Sequence, residues 1–275
     1  MAAFDRIAPR YDQLWTNSPV GRLQRDAVWR HVDSLFRRGD AVLDLGCGTG
    51  EDALHLMQSG VRVTAIDSSP EMVRLASERG VDARTLAIEE IDRLAGTGPA
   101  RPSMYERNSQ IPAGPGSVVP ASYLEDSCFD GAIGNFGALN CVQNLEQAGA
   151  ALARRVRPRG RLVLCTMGCF CLWETAHYAL RLQFGKAFRR LRRDGVPSRL
   201  GVRVFYPSVR RLVAAFRPGF ELVDWAGVGF CVPPSYVSGL SGKTLAKLGA
   251  VDRRVAHWPV LRGLSDHRLL IFVRK

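Results

Sequence analysis

No apolar run in this chain of 275 residues approaches the ~20 needed to cross a bilayer. The first stretch, MAAFDRIAPRYDQLW, mixes charge with aromatics and lacks the apolar centre of a signal peptide. A cytoplasmic protein is therefore the expectation. Seven cysteines are present, an odd number, and none forms a C-x-x-C pair. Cys165, Cys169 and Cys171 lie close together without a fourth ligand at a metal spacing. That argues against a disulfide framework or a metal site and for reduced core or pocket thiols. No internal repeat is visible.

What the chain has is an ordinary apolar content of 46%, enough for a sizeable core, and a net charge of +12. Such an excess suits nucleic acid, an anionic membrane surface or an acidic substrate. It is uneven: positions 181–211 are dense in arginine and include Arg189, Arg190, Arg192 and Arg193. A solvated arginine-rich face is the alternative reading of that run.

The most informative stretch is Asp44 to Gly50, DLGCGTG. It follows the apolar Ala41-Val42-Leu43 and precedes a segment with helical apolar spacing. Strand, glycine turn and helix make the first βα unit of a doubly wound α/β sheet. Glycines let the backbone take positive φ and let a ligand approach, and the helix start offers unpaired N–H groups. Asp44 precedes the turn, and Glu51 and Asp52 follow it. Three carboxylates would repel a pyrophosphate and suit an ammonium or sulfonium ligand. Asp67 ends the next apolar run, about 20 residues on, where a carboxylate accepts both ribose hydroxyls.

At these residues the chain resembles the class I S-adenosylmethionine-dependent methyltransferases, in their quinone- and natural-product-type branch. DLGCGTG is similar to their first motif and AIDSSPEMV to their second. Phe4-Asp5 through Tyr11-Asp12 resembles the N-terminal segment that folds over the cofactor in that family. The resemblance implies that Tyr11 covers the methionine end, with Asp44, Gly46, Cys47, Gly48 and Gly50 forming the turn and Asp67 and Ser68 at the ribose. It puts Ile88 and Glu89 near adenine, with Ala87 where the family usually has an acid. Phe129-Asp130 resembles the start of the family's fourth strand, which brings Asn135 and Phe136 to its carboxyl end. The sequence there is not Asn-Pro-Pro-Tyr, which lowers the expectation of a DNA adenine or glutamine target. Arg157-Pro158-Arg159-Gly160 resembles the turn before strand five.

The implied architecture is a single domain over 1–275, a seven-stranded, mainly parallel Rossmann-like sheet with helical cap inserts. Positions 1–38 would cover the cofactor. Positions 95–122, rich in proline and glycine, read as a flexible loop. Positions 169–219 and 231–265 read as substrate-side inserts, rich in aromatics such as Trp173, Tyr178, Phe205, Tyr206 and Tyr236.

His177 is the candidate general base, because Glu174 at i−3 would share its helix face. A surface Glu–His pair is the other reading. The implied cofactor is S-adenosylmethionine, with no metal. The expected acceptor is small or lipid-like and partly apolar, with contact to an anionic membrane through the region from Arg189 to Arg193. An RNA methyltransferase and a non-catalytic cofactor-binding protein stand as alternatives. No RNA-binding motif or basic tail supports the former.

Overall fold

The computed structural model describes residues 3–94, 129–235, 237 and 239–275. The loop expected at 95–122 and Tyr236 lie outside the described residues.

The chain enters through α1 (Ala8–Tyr11), a π-helical turn (Asp12–Thr16) and the long α2 (Pro19–Leu35). Next come β1 (Ala41–Leu45), α3 (Glu51–Gln58), β2 (Arg62–Asp67), α4 (Pro70–Glu78) and β3 (Asp82–Thr85). The start of α4 shows why sequence located it well. Ser69 accepts a hydrogen bond from the Met72 N–H, and Pro70 occupies the first helical position, where no N–H is needed. Then follow β4 (Phe129–Gly134), α5 (Leu145–Arg155) and β5 (Val156–Met167). The segment beyond holds α6 (Leu172–Ala179), α7 (Phe184–Ala187), the two-residue strands β6 (Val196–Pro197) and β7 (Arg203–Val204), and α8 (Val209–Phe216). The chain closes with β8 (Phe220–Val228), α9 (Gly242–Val255) and β9 (His267–Arg274).

Seven strands form one sheet in the order β3-β2-β1-β4-β5-β9-β8. The pairs from β3 to β5 are parallel, and β9 runs antiparallel to both neighbours. The order reverses between β1 and β4, and ligands bind at the carboxyl ends of strands at such a switch point. Side chains alternate along each strand and so feed two cores. Leu43, Leu45, Leu162 and Leu164 face a layer that includes Leu152 and Phe216. Val42, Val163 and Cys165 face the other layer, with Val28, Val32 and Leu56. No helix among the described residues is long and apolar enough to cross a membrane.

Three expectations need correction. Residues 157–160 are a protrusion inside β5 rather than a turn ahead of it. Val156 opposes Phe129 and Arg161 opposes Gly131, so extra residues bulge out and Arg159 takes φ +64°. The 169–219 segment is not all cap, because α8 is amphipathic and buries Leu212, Ala215 and Phe216 in the main core. The 231–265 segment lies away from the glycine turn. Its α9 packs on α2 through Leu245, Val20 and Val232, and the two helices flank a separate cavity of about 330 Å3.

Candidate active site

A cavity of about 390 Å3 opens at the carboxyl ends of β1, β2, β4 and β5. The glycine turn forms its floor. Gly46 and Gly48 have φ of +66° and +54°, in the left-handed region that side chains resist. A Cβ on Gly46 would sit 2.6 Å from the Cβ of Ala138, so that glycine serves packing between β1 and β4. A Cβ on Gly48 would meet only Tyr11 Cε1, at 3.9 Å, and would project into the cavity. Gly48 therefore presents bare backbone to the cavity.

Asp67 organises the turn around itself. The Gly48 N–H donates to its Oδ2 at 2.9 Å, and the Ser69 N–H donates to its Oδ1 at 2.8 Å. Burial pushes its pKa up, and these backbone donors pull it back. Each carboxylate oxygen can accept more than one hydrogen bond, so capacity remains for ligand hydroxyls.

The N-terminal segment closes over this floor through both of its aspartates. Asp5 accepts from Ser69 Oγ at 2.6 Å, and Asp12 accepts from Thr49 Oγ1 at 2.6 Å. Phe4 and Tyr11 thereby line the cavity. Enclosure pushes the Tyr11 phenol up to about 12, against the opposing pull of Arg25.

The far wall is the end of β4. Phe136 and Gly137 take φ of +48° and +100°. The left-handed turn at Phe136 is strained for a non-glycine residue, and such strain gathers at functional sites. Asn135 lines the cavity, and both its side-chain polar atoms are buried without a protein partner. Asp44 Oδ2 beneath the turn is likewise buried and unpartnered. Burial drives the Asp44 carboxyl well above the usual range, and the neighbouring Asp52 adds to this. Unsatisfied buried polar atoms are costly, and two such groups beside one cavity are what a polar, cationic ligand would satisfy.

The carboxylate count around the turn looks different in three dimensions. Asp52 is paired with Arg25 at 2.6 Å, and Glu51 with Arg79 at 2.5 Å. Two of the three acids are thus ion-paired, and of the three Asp44 alone has a buried oxygen without a partner. Arg25 also lies over Trp15 and Phe136, at 4.9 and 5.2 Å from the ring centroids. None of these cation contacts is legible in sequence spacing.

The remaining wall is aliphatic. Met167 at the end of β5, with Leu200, Val202 and Val204 around the β6–β7 hairpin, lines it together with Ser198. Asn140 positions this hairpin. Its Nδ2 donates to the carbonyls of Met167 at 3.0 Å and Phe205 at 2.6 Å, and its Oδ1 accepts from the Met167 N–H at 2.9 Å. Sequence reading passed over Asn140 because a buried amide gives no pattern signal of its own.

Of the residues chosen from sequence, Tyr11, Gly46, Gly48, Asp67, Ser68, Ile88, Glu89, Asn135 and Phe136 line the cavity. Asp44, Cys47 and Gly50 belong to the turn beneath it. His177 is not a lining residue. It sits on α6 with Arg181 Nη1 3.1 Å from its Nδ1 and its ring edge-on to Tyr178. Glu174 is almost fully buried, bound by Arg189 and Arg190. The aromatics expected around an acceptor also point elsewhere. Trp173 donates to the Phe230 carbonyl, and Tyr206 lies under Arg190. The arginine run is partly internal as well: Arg190 is 6% exposed and bridges Glu174 and Asp266, each at 2.8 Å.

Residues 42–97 match a family model described as a methyltransferase domain. This segment contains the glycine turn, Asp67 and the Ile88–Glu89 wall. The demethylmenaquinone methyltransferase of Thermobifida fusca is 32% identical over 169 residues, 60% of this chain and 59% of that protein. The 2-phytyl-1,4-naphtoquinone methyltransferase of a Nostoc species is 26% identical over 257 residues, 88% of this chain and 95% of that protein. The chain is thus similar to methyltransferases in sequence, and residues 42–97 carry the methyltransferase-domain match. A SAM-dependent methyltransferase structure from Thermotoga maritima shares this fold, with a TM-score of 0.56 at 17% identity, covering 99% of each chain. The chain spans less than two thirds of the first curated relatives it matches, 59% and 64% of their lengths.

Proposed function

We propose that the protein transfers a methyl group from S-adenosylmethionine to a small, apolar, quinone-like acceptor. The observation that carries this is one continuous cavity with two chemically different ends. One end presents Asp67, Ser68, Glu89 and Asn135, and the other presents Leu200, Val202, Val204 and Met167. A volume of about 390 Å3 falls within the ~300–1,000 Å3 of small-molecule sites. The family and the relatives named for quinone substrates support the same reading.

When bound, S-adenosylmethionine supplies a methyl group activated by its sulfonium charge. The residues present suit it. Asp67 would accept from the ribose hydroxyls, the open face of Gly48 would admit the ligand backbone-close, and Asn135 and Asp44 would meet its polar and cationic methionine end. Tyr11 and Phe4 would exclude water, and the aliphatic wall would orient the acceptor for in-line attack.

Two lining groups are unsuited to proton abstraction near neutrality. Burial pushes the Cys141 thiol up to about 11, and Tyr11 lies near 12. Neither is therefore the base for a phenolic acceptor, whose proton ordinarily leaves at about pH 10; among the lining groups that role falls to a carboxylate such as Glu89. His177 has no part in this scheme, since it does not line the cavity.

The test is incubation with methyl-labelled cofactor and, separately, a reduced short-chain naphthoquinone, a lipid extract and purified RNA. Label should enter the naphthoquinone or lipid fraction. Robust labelling of RNA with neither of the others accepted would overturn the proposal.

A further inference from the structure

We propose that the segment 180–193 seats the protein on an anionic lipid bilayer, next in sequence to the hairpin that lines the acceptor end of the cavity. The purpose of such seating rests on the lipid-like acceptor proposed above, since an acceptor dissolved in a membrane must be collected from it.

Leu180 and Leu182 are 85% and 78% exposed, Leu191 is 56%, and Phe184 and Phe188 are 55% and 47%. Single exposed apolar side chains are ordinary, but five within twelve residues form a patch that calls for a partner. Leu182 takes φ +55° because it closes the end of α6, its N–H donating to the Ala179 carbonyl and the Gln183 N–H to the Tyr178 carbonyl, and this turn leaves its side chain outward. Exposed Arg181, Lys186, Arg192 and Arg193 are interleaved with these side chains, and no acidic residue occurs from 180 to 193; the exposed Asp194 that follows pairs with Arg192 at 3.3 Å, leaving Arg181, Lys186 and Arg193 in cationic excess.

The arginines of the segment split between two tasks. Arg189 and Arg190 turn inward and bind Glu174, and Arg190 continues to Asp266 at the start of β9. Those buried ion pairs fix the strap to the sheet and leave the other cations outward. The β6–β7 hairpin begins three residues after Arg193 and carries the cavity-lining Ser198, Leu200 and Val202.

An apolar patch interleaved with cations matches the interfacial zone of a bilayer with anionic headgroups. A second copy of this chain is a poorer match. A symmetric pairing would set Arg192 and Arg193 against their own equivalents in a chain already at +12. RNA is poorer too: Phe184 and Phe188 could stack on bases, but the three exposed leucines beside them have no role against phosphates or bases.

The test is co-sedimentation of the full chain with vesicles of phosphatidylglycerol or of phosphatidylcholine, with neither methyl donor nor acceptor present. Binding to phosphatidylglycerol should exceed binding to phosphatidylcholine and weaken with salt. The double substitution Leu182→Ser with Phe184→Ser should lower partitioning by about tenfold, as should Arg192→Glu with Arg193→Glu. Both pairs are at the surface, and both variants should keep wild-type turnover of a water-soluble acceptor. Equal partitioning of wild type and variants, or absence of binding to phosphatidylglycerol vesicles, would overturn the proposal. So would a concentration-dependent dimer that both variants abolish. A wrong acceptor class leaves the vesicle result intact, and failure on vesicles leaves the acceptor reading to its own labelling test.

Discussion

Asn140 and Phe205 hold each other by two main-chain-directed hydrogen bonds. The Asn140 side-chain amide donates to the Phe205 carbonyl at 2.6 Å, and the Phe205 N–H donates to the Asn140 carbonyl at 2.7 Å. These residues are 65 positions apart, and the pair joins the cofactor wall after β4 to the hairpin carrying Leu200, Val202 and Val204. Asn140 is fully buried, so its loss leaves carbonyls unsatisfied. Asn140→Ala should raise the acceptor KM by about tenfold, the scale of one such buried hydrogen bond. The cofactor Kd, measured by calorimetry, should change less than about twofold, because the Asn140 side chain bonds only Met167 and Phe205, and its backbone bond to Gly137 survives the substitution. Equal losses at both substrates would show that the amide supports the whole site rather than the hairpin.

The half of this site proposed for the cofactor was legible in sequence as a structural unit, because its parts are local. A strand, three glycines, an acid and a helix start stand within seven residues, and each type has its own backbone reason. Asp67 follows because β2 must return beside β1. The acceptor half was not legible. Its aliphatic side chains are scattered over 167–204, in a segment whose aromatics drew attention by type. Trp173, Tyr178 and Tyr206 proved to serve the packing of α6 and the arginine anchor. His177 failed similarly: an i,i+3 pair with Glu174 fixes a helix face, but not which way that face turns. The buried Arg190 turned Glu174 inward, a choice made by tertiary charge rather than by periodicity.

Cofactor affinity should rest on Asp67. Asp67→Ala should weaken S-adenosylmethionine binding by about 1.5–3 kcal/mol, the scale of charge-assisted hydrogen bonds. The carboxylate also accepts from Gly48 and Ser69, so the turn loses its organiser together with its ligand contact. Calorimetry on a variant with native circular dichroism would decide it, and unchanged affinity would remove Asp67 from the site.

Gly48→Val should abolish cofactor binding while leaving the sheet formed. The added side chain would enter the cavity toward Tyr11, and the +54° φ adds strain of about 1–2 kcal/mol. A folded variant that still binds would move the ligand away from this turn.

Asp44 should show the opposing demands of stability and binding. Its pKa is raised chiefly by burial, so the ionised carboxylate opposes folding at and above neutral pH. Asp44→Asn should therefore raise the melting temperature of the ligand-free protein, more at pH 8 than at pH 5. It should also weaken cofactor binding, since the amide cannot answer a cationic ligand. Thermal melts at the two pH values, with and without cofactor, separate the effects. A lower melting temperature at pH 8 would mean that the carboxylate is already satisfied.

Acid stability should depend on the anchor of the 180–193 strap. Burial alone would raise the pKa values of Glu174 and Asp266. The guanidiniums of Arg189 and Arg190 outweigh it at Glu174, and His267 with Arg190 outweigh it at Asp266, so both carboxyls lie below their usual range. In the unfolded chain these groups titrate near about 4. Their stabilisation is therefore complete above that pH and is lost as pH falls through the lower folded values. Unfolding free energy should drop steeply below about pH 4. Arg190→Ala would leave both carboxylates buried with weakened partners, and breaking such a pair costs about 3–5 kcal/mol at neutral pH. The same variant should lose much of the acid-limb slope, because protonation then relieves an unpaired charge instead of breaking a bridge. Urea titrations across pH 3 to 7 on wild type and Arg190→Ala measure both quantities. A variant as stable as wild type at pH 7 would show that the ion pairs are dispensable and that packing alone holds the strap.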